Sequence, residues 1–439
     1  MAASGAGAWV LRFRGLSDLP ERRFIAIILA LQLIPALGLF AALYLAGHQQ
    51  VTSDVPAYYI PAAQAVLKGQ VPFRDFTLSY APLFPYVGAV LLSVWNSGKA
   101  FALLAILLNA GTLLMWHAAA KGTFSQSTAR AASVLYAASG QVLVQALLGT
   151  NQAWIAAALA ASALLLIRGR SFGAGLIQAL AVCAVKFLAL LFWPVLWIFA
   201  PQRMRWLGGA ALLSVGVYGA FATGGADLLY PLRHEGELTS SANLPYILEP
   251  LLGRDSHFAY RLFDGLALLT LAATTAWLYL KAWQATTAQR LSLLLPGLAL
   301  TGLVFMLVSK KSFPGYILFC MYPVTLVMVI GIPDYLRRVV FFSVLNVLLA
   351  LESSLWFYLG GDNKALSAWL QESGFTAGVP FFLAVDLTLI ASYVYLAWIA
   401  AAWLQARALP LNQPKTPRHS VESAPKTVAV HYVESPQRK

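Results

Sequence analysis

The segment Ser53-Asp54-Val55-Pro56-Ala57-Tyr58-Tyr59 and its continuation through Pro72-Phe73-Arg74-Asp75-Phe76 to Tyr80-Ala81-Pro82-Leu83 follow directly on the first long apolar run of the chain. They bring two carboxylates, a guanidinium and three phenols to a membrane surface. Ionisable groups are costly near a bilayer core, so a cluster of them at the mouth of a membrane bundle marks a functional site. Asp54 stands a few residues past the first run, where a carboxylate is placed to take a proton from an acceptor hydroxyl. One-step sugar transfer with inversion needs such a base on the face opposite the leaving phosphate. The same residue also has the position of a helix cap, since Pro56 opens a helical pattern over 55–68. The two roles are compatible, because a capping Asp has a fixed position.

A second set of groups is cationic. Lys186 interrupts the apolar stretch 172–200, and Ser309-Lys310-Lys311-Ser312 stands between two later apolar runs. Lys and Arg at a membrane surface suit phosphate, as a point charge and as a fork respectively. Lys310 and Lys311 equally suit anionic headgroups without specificity, and Lys186 also reads as a snorkelling lysine. The loop 223–257 adds Asp227, Arg233-His234-Glu235 and Asn243.

The elements that position these residues follow from composition. Of 439 residues, 59% are hydrophobic and 11% charged, against about 25% charged in a soluble domain, which excludes the soluble classes. Apolar runs of about 17–25 residues recur along the chain, each long enough to cross the bilayer as a helix, and they lack the alternation of a membrane barrel. The fold class is therefore an all-α integral membrane bundle. The net charge of +13 is scattered through short loops rather than gathered on one face, which excludes a nucleic-acid surface and fits basic residues retained on the cytoplasmic side. Cys183 and Cys320 lie within apolar runs and read as packing.

Two places are ambiguous by length: 80–95 is short and carries Pro85, and 172–200 is too long for one crossing. If 80–95 lies along the outer surface and 172–200 is a pair of short antiparallel helices meeting near Lys186, the basic loops fall on one side together with both termini. This gives about twelve spans with two outer-surface helices, near 55–68 and 80–95. It divides the chain into a membrane domain over 1–404, with a first external loop at 47–98 and a large one at 223–257, and a disordered cytoplasmic tail over 405–439. A helix over 172–185 rises about 21 Å, less than the hydrocarbon thickness, so Lys186 is expected below the outer surface, at the apex of a cavity.

No nucleotide-binding loop, metal spacing or serine elbow is present, so an activated sugar would have to arrive on a lipid. No cofactor is expected; a divalent cation at the acidic mouth stays open, with no ligand spacing to indicate one. At this point the order of features resembles the GT-C glycosyltransferases, and most closely the family 87-type polyprenol-phosphate-mannose-dependent mannosyltransferases. The likeness rests on Asp54-Val55-Pro56-Ala57-Tyr58-Tyr59, Leu67-Lys68-Gly69, Val71-Pro72-Phe73-Arg74-Asp75-Phe76 and Tyr80-Ala81-Pro82-Leu83, with departures at Phe73 and Ala81. Asn151-Gln152 is similar to that family's Gly-Gln-Asn segment in another order, and Gly173 to Lys186 is similar to its Lys-bearing short helices.

The resemblance covers most of residues 20–330. It implies a GT-C-type bundle in a bacterial plasma membrane, with its active site on the outer face and the later spans free to vary. It implies Asp54 as general base; Lys186, Lys310 and Lys311, assisted by Arg233 and His234, on the donor phosphate; and Tyr58, Tyr59, Arg74, Asp75, Tyr80, Asn151, Gln152 and Asn243 around the acceptor. The expected partners are a polyprenyl-phosphate-linked hexose, mannose first, a lipid or glycan acceptor and membrane lipids, with no nucleic acid. The rival reading is a transporter or flippase of a lipid-linked sugar using the same cavity. It calls for ionisable residues through the depth of the bundle, where the sequence places chiefly Glu352.

Overall fold

Long apolar runs become long helices because a helix satisfies its own backbone in hydrocarbon, and the computed structural model is almost wholly helical in its described residues. The structure describes residues 19–237, 239–252, 256–361, 364–373 and 378–408. Arg12, Arg14, Arg254, Asp255, Asp362 and the tail beyond 408 lie outside them. Among the described residues there is no strand, only a single bridge between Pro72 and Phe76.

Helix α1 covers Glu21–Phe40 and continues through a wider π turn to Ala46. The first loop then forms a turn at Val55–Tyr59, α2 (Ile60–Leu67) and α3 (Phe84–Val94). There follow α4 (Lys99–Lys121), α5 (Gln126–Ala137), α6 (Gly140–Leu147), α7 (Gln152–Ile167) and α8 (Ser171–Ala184). A 3₁₀ turn at Phe187–Phe192 leads into α9 (Trp193–Phe199), then α10 (Arg203–Thr223), α11 (Tyr230–Glu237), α12 (Leu244–Leu248) and α13 (Ser256–Trp283). Next come α14 (Thr287–Val308), a 3₁₀ turn at Pro314–Phe319, α15 (Met321–Gly331), α16 (Tyr335–Tyr358), α17 (Leu366–Ser373) and α18 (Gly378–Ala408).

Among the described residues, eight helical segments are long and apolar enough to cross a membrane. Shorter apolar helices among the described residues are Phe84–Val94, Gln152–Ile167, Ser171–Ala184 and Phe187–Phe199. The stretch 172–200 is divided as expected, with α8 and the return to α9 meeting at Lys186. The apolar run 131–148, long enough in sequence for one span, is broken at Ala138–Ser139. There the Ser139 hydroxyl caps α6 by accepting from the Val142 N–H and donates to Asn346 Oδ1 at 2.8 Å.

α8 is held against α10 at backbone distance. A Cβ on Gly175 would sit 2.0 Å from the Trp206 carbonyl, and one on Gly209 would sit 2.2 Å from that of Phe172. Small residues permit this approach where no hydrophobic force drives helices together. The crossing fixes where α8 ends and therefore where Lys186 stands.

Candidate active site

One end of the bundle gathers the loops 47–98, 148–151, 224–252 and 309–313 by direct contacts. The Tyr44 hydroxyl donates to the Leu147 carbonyl (2.7 Å), the Asp227 N–H to the Phe73 carbonyl (3.0 Å), and the Ser240 N–H to the Lys310 carbonyl (2.7 Å).

The last carbonyls of a helix have no partner within it. α8 ends inside the bundle, and its terminal region is satisfied from the first loop: the Leu83 N–H donates to the Cys183 carbonyl at 2.9 Å and the Ala81 N–H to the Val185 carbonyl at 3.1 Å. Tyr80 is thereby laid across the apex. Its ring lies 5.6 Å from Lys186 Nζ, and its hydroxyl donates to Asp54 Oδ2 at 2.7 Å. A carboxylate and an ammonium distant in sequence thus meet on opposite parts of one tyrosine. Burial pushes the Tyr80 phenol well above its ordinary pKa, with the neighbouring Tyr59 and Asp54 adding to the shift, so it stays a hydrogen-bond donor to the carboxylate.

Asp54 does not cap the 55–68 helix. Its backbone is already helical (φ −66°, ψ −18°), Ser53 before it takes φ 74°, and its side chain makes no capping bond. Lys186 donates to the Tyr316 hydroxyl at 3.1 Å, and its ammonium lies 5.6 Å from that ring too. Tyr316, in the 3₁₀ turn after the Lys310-Lys311 pair, did not stand out in the sequence; an aromatic residue shortly after a cationic turn was its only signal.

The remaining candidates divide. Tyr59 is buried, stacks edge-on against Tyr80 at 5.1 Å, and its hydroxyl accepts from the Asn151 N–H at 3.1 Å. Asn151 and Gln152, at the start of α7, are buried, and neither Asn151 Nδ2 nor Gln152 Oε1 has a hydrogen-bond partner among the described residues. Buried polar atoms without partners are uncommon and call for a ligand or water. Tyr58 is about half exposed, with its ring 6.4 Å from that of Tyr80.

Other candidates are engaged in the loops themselves. Arg74 makes two hydrogen bonds to Asp75, at 3.0 and 2.9 Å, and the Val71 N–H donates to Asp75 at 2.7 Å. The guanidinium, joined by that N–H, holds the Asp75 carboxyl down at about 2. Arg233 pairs with Asp227, and His234 stacks on Tyr230 at 5.6 Å. Lys310 is 5% exposed, with its ammonium 2.7 Å from the Asp264 carboxylate; Lys311 is half-buried beside it.

Asn243, expected near the acceptor, is instead fully buried and bonded on both sides of its amide. Nδ2 donates to the Ser240 and Ser241 carbonyls, and Oδ1 accepts from the Tyr246 N–H as the cap of α12. An Asn two residues before a Pro that opens a helix is the signal that identifies this capping role.

A cavity of about 280 Å³ lies elsewhere, between α1, α4 and the α5–α6 break, lined by Gln32, Pro35, Asn109 and Ser139 among others. It contains none of the residues around Asp54. Among the described residues, no group of three or more His, Cys, Asp or Glu could hold a metal ion.

No protein-family model matches the chain, and no curated protein matches it. Among solved structures it is similar to ArnT from Cupriavidus metallidurans bound to undecaprenyl phosphate, at 12% identity and a TM-score of 0.46, over 92% of this chain and 78% of that one. It is also similar to the oligosaccharyltransferase of Archaeoglobus fulgidus in the apo form (13% identity, TM-score 0.39, 88% of this chain and 56% of that one). A third likeness is to AglB of the same archaeon in complex with an inhibitory peptide and a dolichol-phosphate (14% identity, TM-score 0.37, 86% and 56%). The chain spans just over half the length of the two archaeal proteins.

Proposed function

We propose that this protein is an inverting GT-C-type glycosyltransferase that moves a hexose, mannose first among the sugars to test, from a polyprenyl-phosphate donor to a lipid or glycan acceptor on the outer face of a plasma membrane. The observation that carries this reading is the meeting of Asp54 and Lys186 on Tyr80 at the loop-rich end of the bundle. In this mechanism the acceptor hydroxyl gives its proton to Asp54. The acceptor oxygen bonds to the sugar's anomeric carbon, and the bond from that carbon to the phosphate oxygen breaks on the opposite face. The departing polyprenyl phosphate gathers negative charge, which the Lys186 ammonium and the Tyr316 hydroxyl are placed to meet. Lys310 already faces Asp264, so within this reading Lys186 is the leading phosphate ligand and Lys311 the second. The unpartnered amide atoms of Asn151 and Gln152 suit sugar hydroxyls.

Replacing Asp54 with Asn keeps the shape and removes the base. Membranes supplied with labelled polyprenyl-phosphate-mannose should then lose transfer by about 10²–10⁴-fold at unchanged protein level. Full activity of Asp54→Asn would remove it as base, and transport of labelled lipid in vesicles without sugar transfer would favour the flippase.

A further inference from the structure

The cavity between α1, α4 and the α5–α6 break takes no part in the chemistry proposed above, yet it lies where polar groups are most costly. Glu21 bonds to Lys121 at 2.6 Å and to Gln126 at 3.4 Å, so the neighbouring ends of α1, α4 and α5 stand level. Counted from those ends, Gln32, Asn109 and Ala138 are eleven or twelve residues along, a rise of about 16–18 Å. Hydrocarbon is about 30 Å thick, which puts all three near its middle.

At that depth a break in a helix must find polar partners in the protein or in what fills a cavity. This break does so only in part. Asn346 Oδ1 and Ser139 Oγ accept from the Gln141 and Val142 N–H groups, but the Gly140 N–H and the Ala138 carbonyl have no hydrogen-bond partner among the described residues. Ala138 and Gly140 are both exposed, and a Cβ on Gly140 would meet nothing within 4 Å.

Gln32 and Asn109 line the same cavity and are 7% and 1% exposed. Asn109 Nδ2 donates to the Val142 carbonyl at 3.3 Å. Its Oδ1, and both amide atoms of Gln32, have no partner among the described residues. Buried amide atoms in that condition are uncommon and call for a ligand.

The unpartnered set decides the chemistry of that ligand. It mixes donors, the Gly140 N–H and Gln32 Nε2, with acceptors, the Ala138 carbonyl, Gln32 Oε1 and Asn109 Oδ1. A hydroxyl both donates and accepts, and so matches a mixed set. No ionisable side chain lines the cavity, so a phosphate or an ammonium would go uncompensated there. Leu31 and Pro35 on its rim are exposed apolar residues of a spanning helix, so the cavity opens toward hydrocarbon. Its volume of about 280 Å³ suits the end of one chain better than a two-chain glycerolipid.

We propose that this cavity binds a neutral single-chain lipid alcohol, which enters from the bilayer and takes a donor and an acceptor from the α5–α6 break and the Gln32 and Asn109 amides. Its chain leaves past Leu31 and Pro35. This inference does not rest on glycosyl transfer and is tested without it.

The test uses the full-length protein in lipid nanodiscs and a hexadecanol carrying a photoreactive diazirine near its hydroxyl end. Labelling should saturate and map to α1, α4 and the α5–α6 break. Unlabelled hexadecanol should compete at least about tenfold better than its methyl ether or hexadecane, a difference of about 1.4 kcal/mol. Gln32→Leu removes the amide at similar volume and should weaken labelling at least about fivefold, with the melting temperature held or raised. Gly140→Leu sends a side chain into the open space and should abolish labelling.

Labelling that does not saturate, or equal competition by the ether and the alkane, overturns the site. Equal competition by diacylglycerol overturns the single-chain occupant. Undiminished labelling in either variant overturns the proposal as well. If neither variant accumulates, the labelled residues of the unaltered protein decide: cross-links confined to the cavity lining support the site, and cross-links spread over the lipid-facing surface refute it.

Discussion

At the end of the bundle that holds Glu21, side-chain cations close the helix termini. Arg203 donates to the Ile198 carbonyl at 3.3 and 3.0 Å, Arg338 to the Ile332 carbonyl at 3.0 and 2.7 Å, and Arg290 to the Ala282 carbonyl at 3.3 Å. Glu21 itself takes Lys121 at 2.6 Å, Arg130 at 3.0 Å and His117 at 3.1 Å, which ties α1 to α4 and α5. At the opposite end the terminus of α8 is closed by backbone N–H groups of the first loop, and Lys186 lies on two phenol rings beside a carboxylate. The same residue types therefore serve architecture at one end and stand at a candidate reaction centre at the other. What separates them is the partner. A carbonyl at a helix end marks a structural cation, and a cluster of phenols and a carboxylate marks one placed for chemistry.

Substitutions matched across the two ends test that division. Lys186→Ala should lower sugar transfer by about 10²–10³-fold with little change in melting temperature, and Lys186→Arg should restore part of the rate. A large loss of stability with Lys186→Ala would move this lysine into the architectural class. Glu21→Gln should do the reverse. It strips charge-assisted bonds from Arg130, which is 3% exposed, and should cost about 1–3 kcal/mol in thermal unfolding while activity per folded molecule holds. Tyr80→Phe keeps the ring over Lys186 and deletes the bond to Asp54. Activity should fall about tenfold, in kcat more than in KM, and an unchanged kcat would separate Tyr80 from the base.

The smallest effect is expected at Asp75, whose pair with Arg74 is exposed. Asp75→Asn should change transfer by less than about threefold. Its native carboxyl is held down to about 2, chiefly by Arg74, so what the pair contributes is complete above about pH 4 and is lost only as pH falls toward 2. The activity profile from roughly pH 5 to 9 should accordingly be the same with and without Asp75; a loss matching that of Lys186→Ala would return Asp75 to the acceptor site.

Much of this division was legible in the sequence where a rule of period or charge applied. Apolar run length placed the long helices, and the interruption at Lys186 located the return between α8 and α9. Pro56 marked the first short helix of the first loop, and the charge of the loops singled out the second, near 80–95. Rules of that kind do not reach contacts between distant segments. Nothing local says that Tyr80 and Tyr316 will converge on Lys186, or that Asp264 will face Lys310. The break at Ser139 was readable in principle, since Ser before Gly-Gln is a capping signal, but the surrounding apolar run outweighed it. Asp54 had the position of a cap and lost that role because Tyr80 offered its carboxylate a stronger partner.

The bonds from Ala81 and Leu83 to the end of α8 also set an order of assembly. When residues 54 and 80 emerge during synthesis, residues 186 and 316 have not yet been made. The contacts that join the first loop to Lys186, and Lys186 to Tyr316, therefore form only after residues 171–199 and the turn at 314–319 have been made. A chain that stops short of residue 316 carries Asp54 and Lys186 and lacks the Tyr316 hydroxyl to which Lys186 donates. Competence is thus acquired only once most of the polypeptide has been inserted.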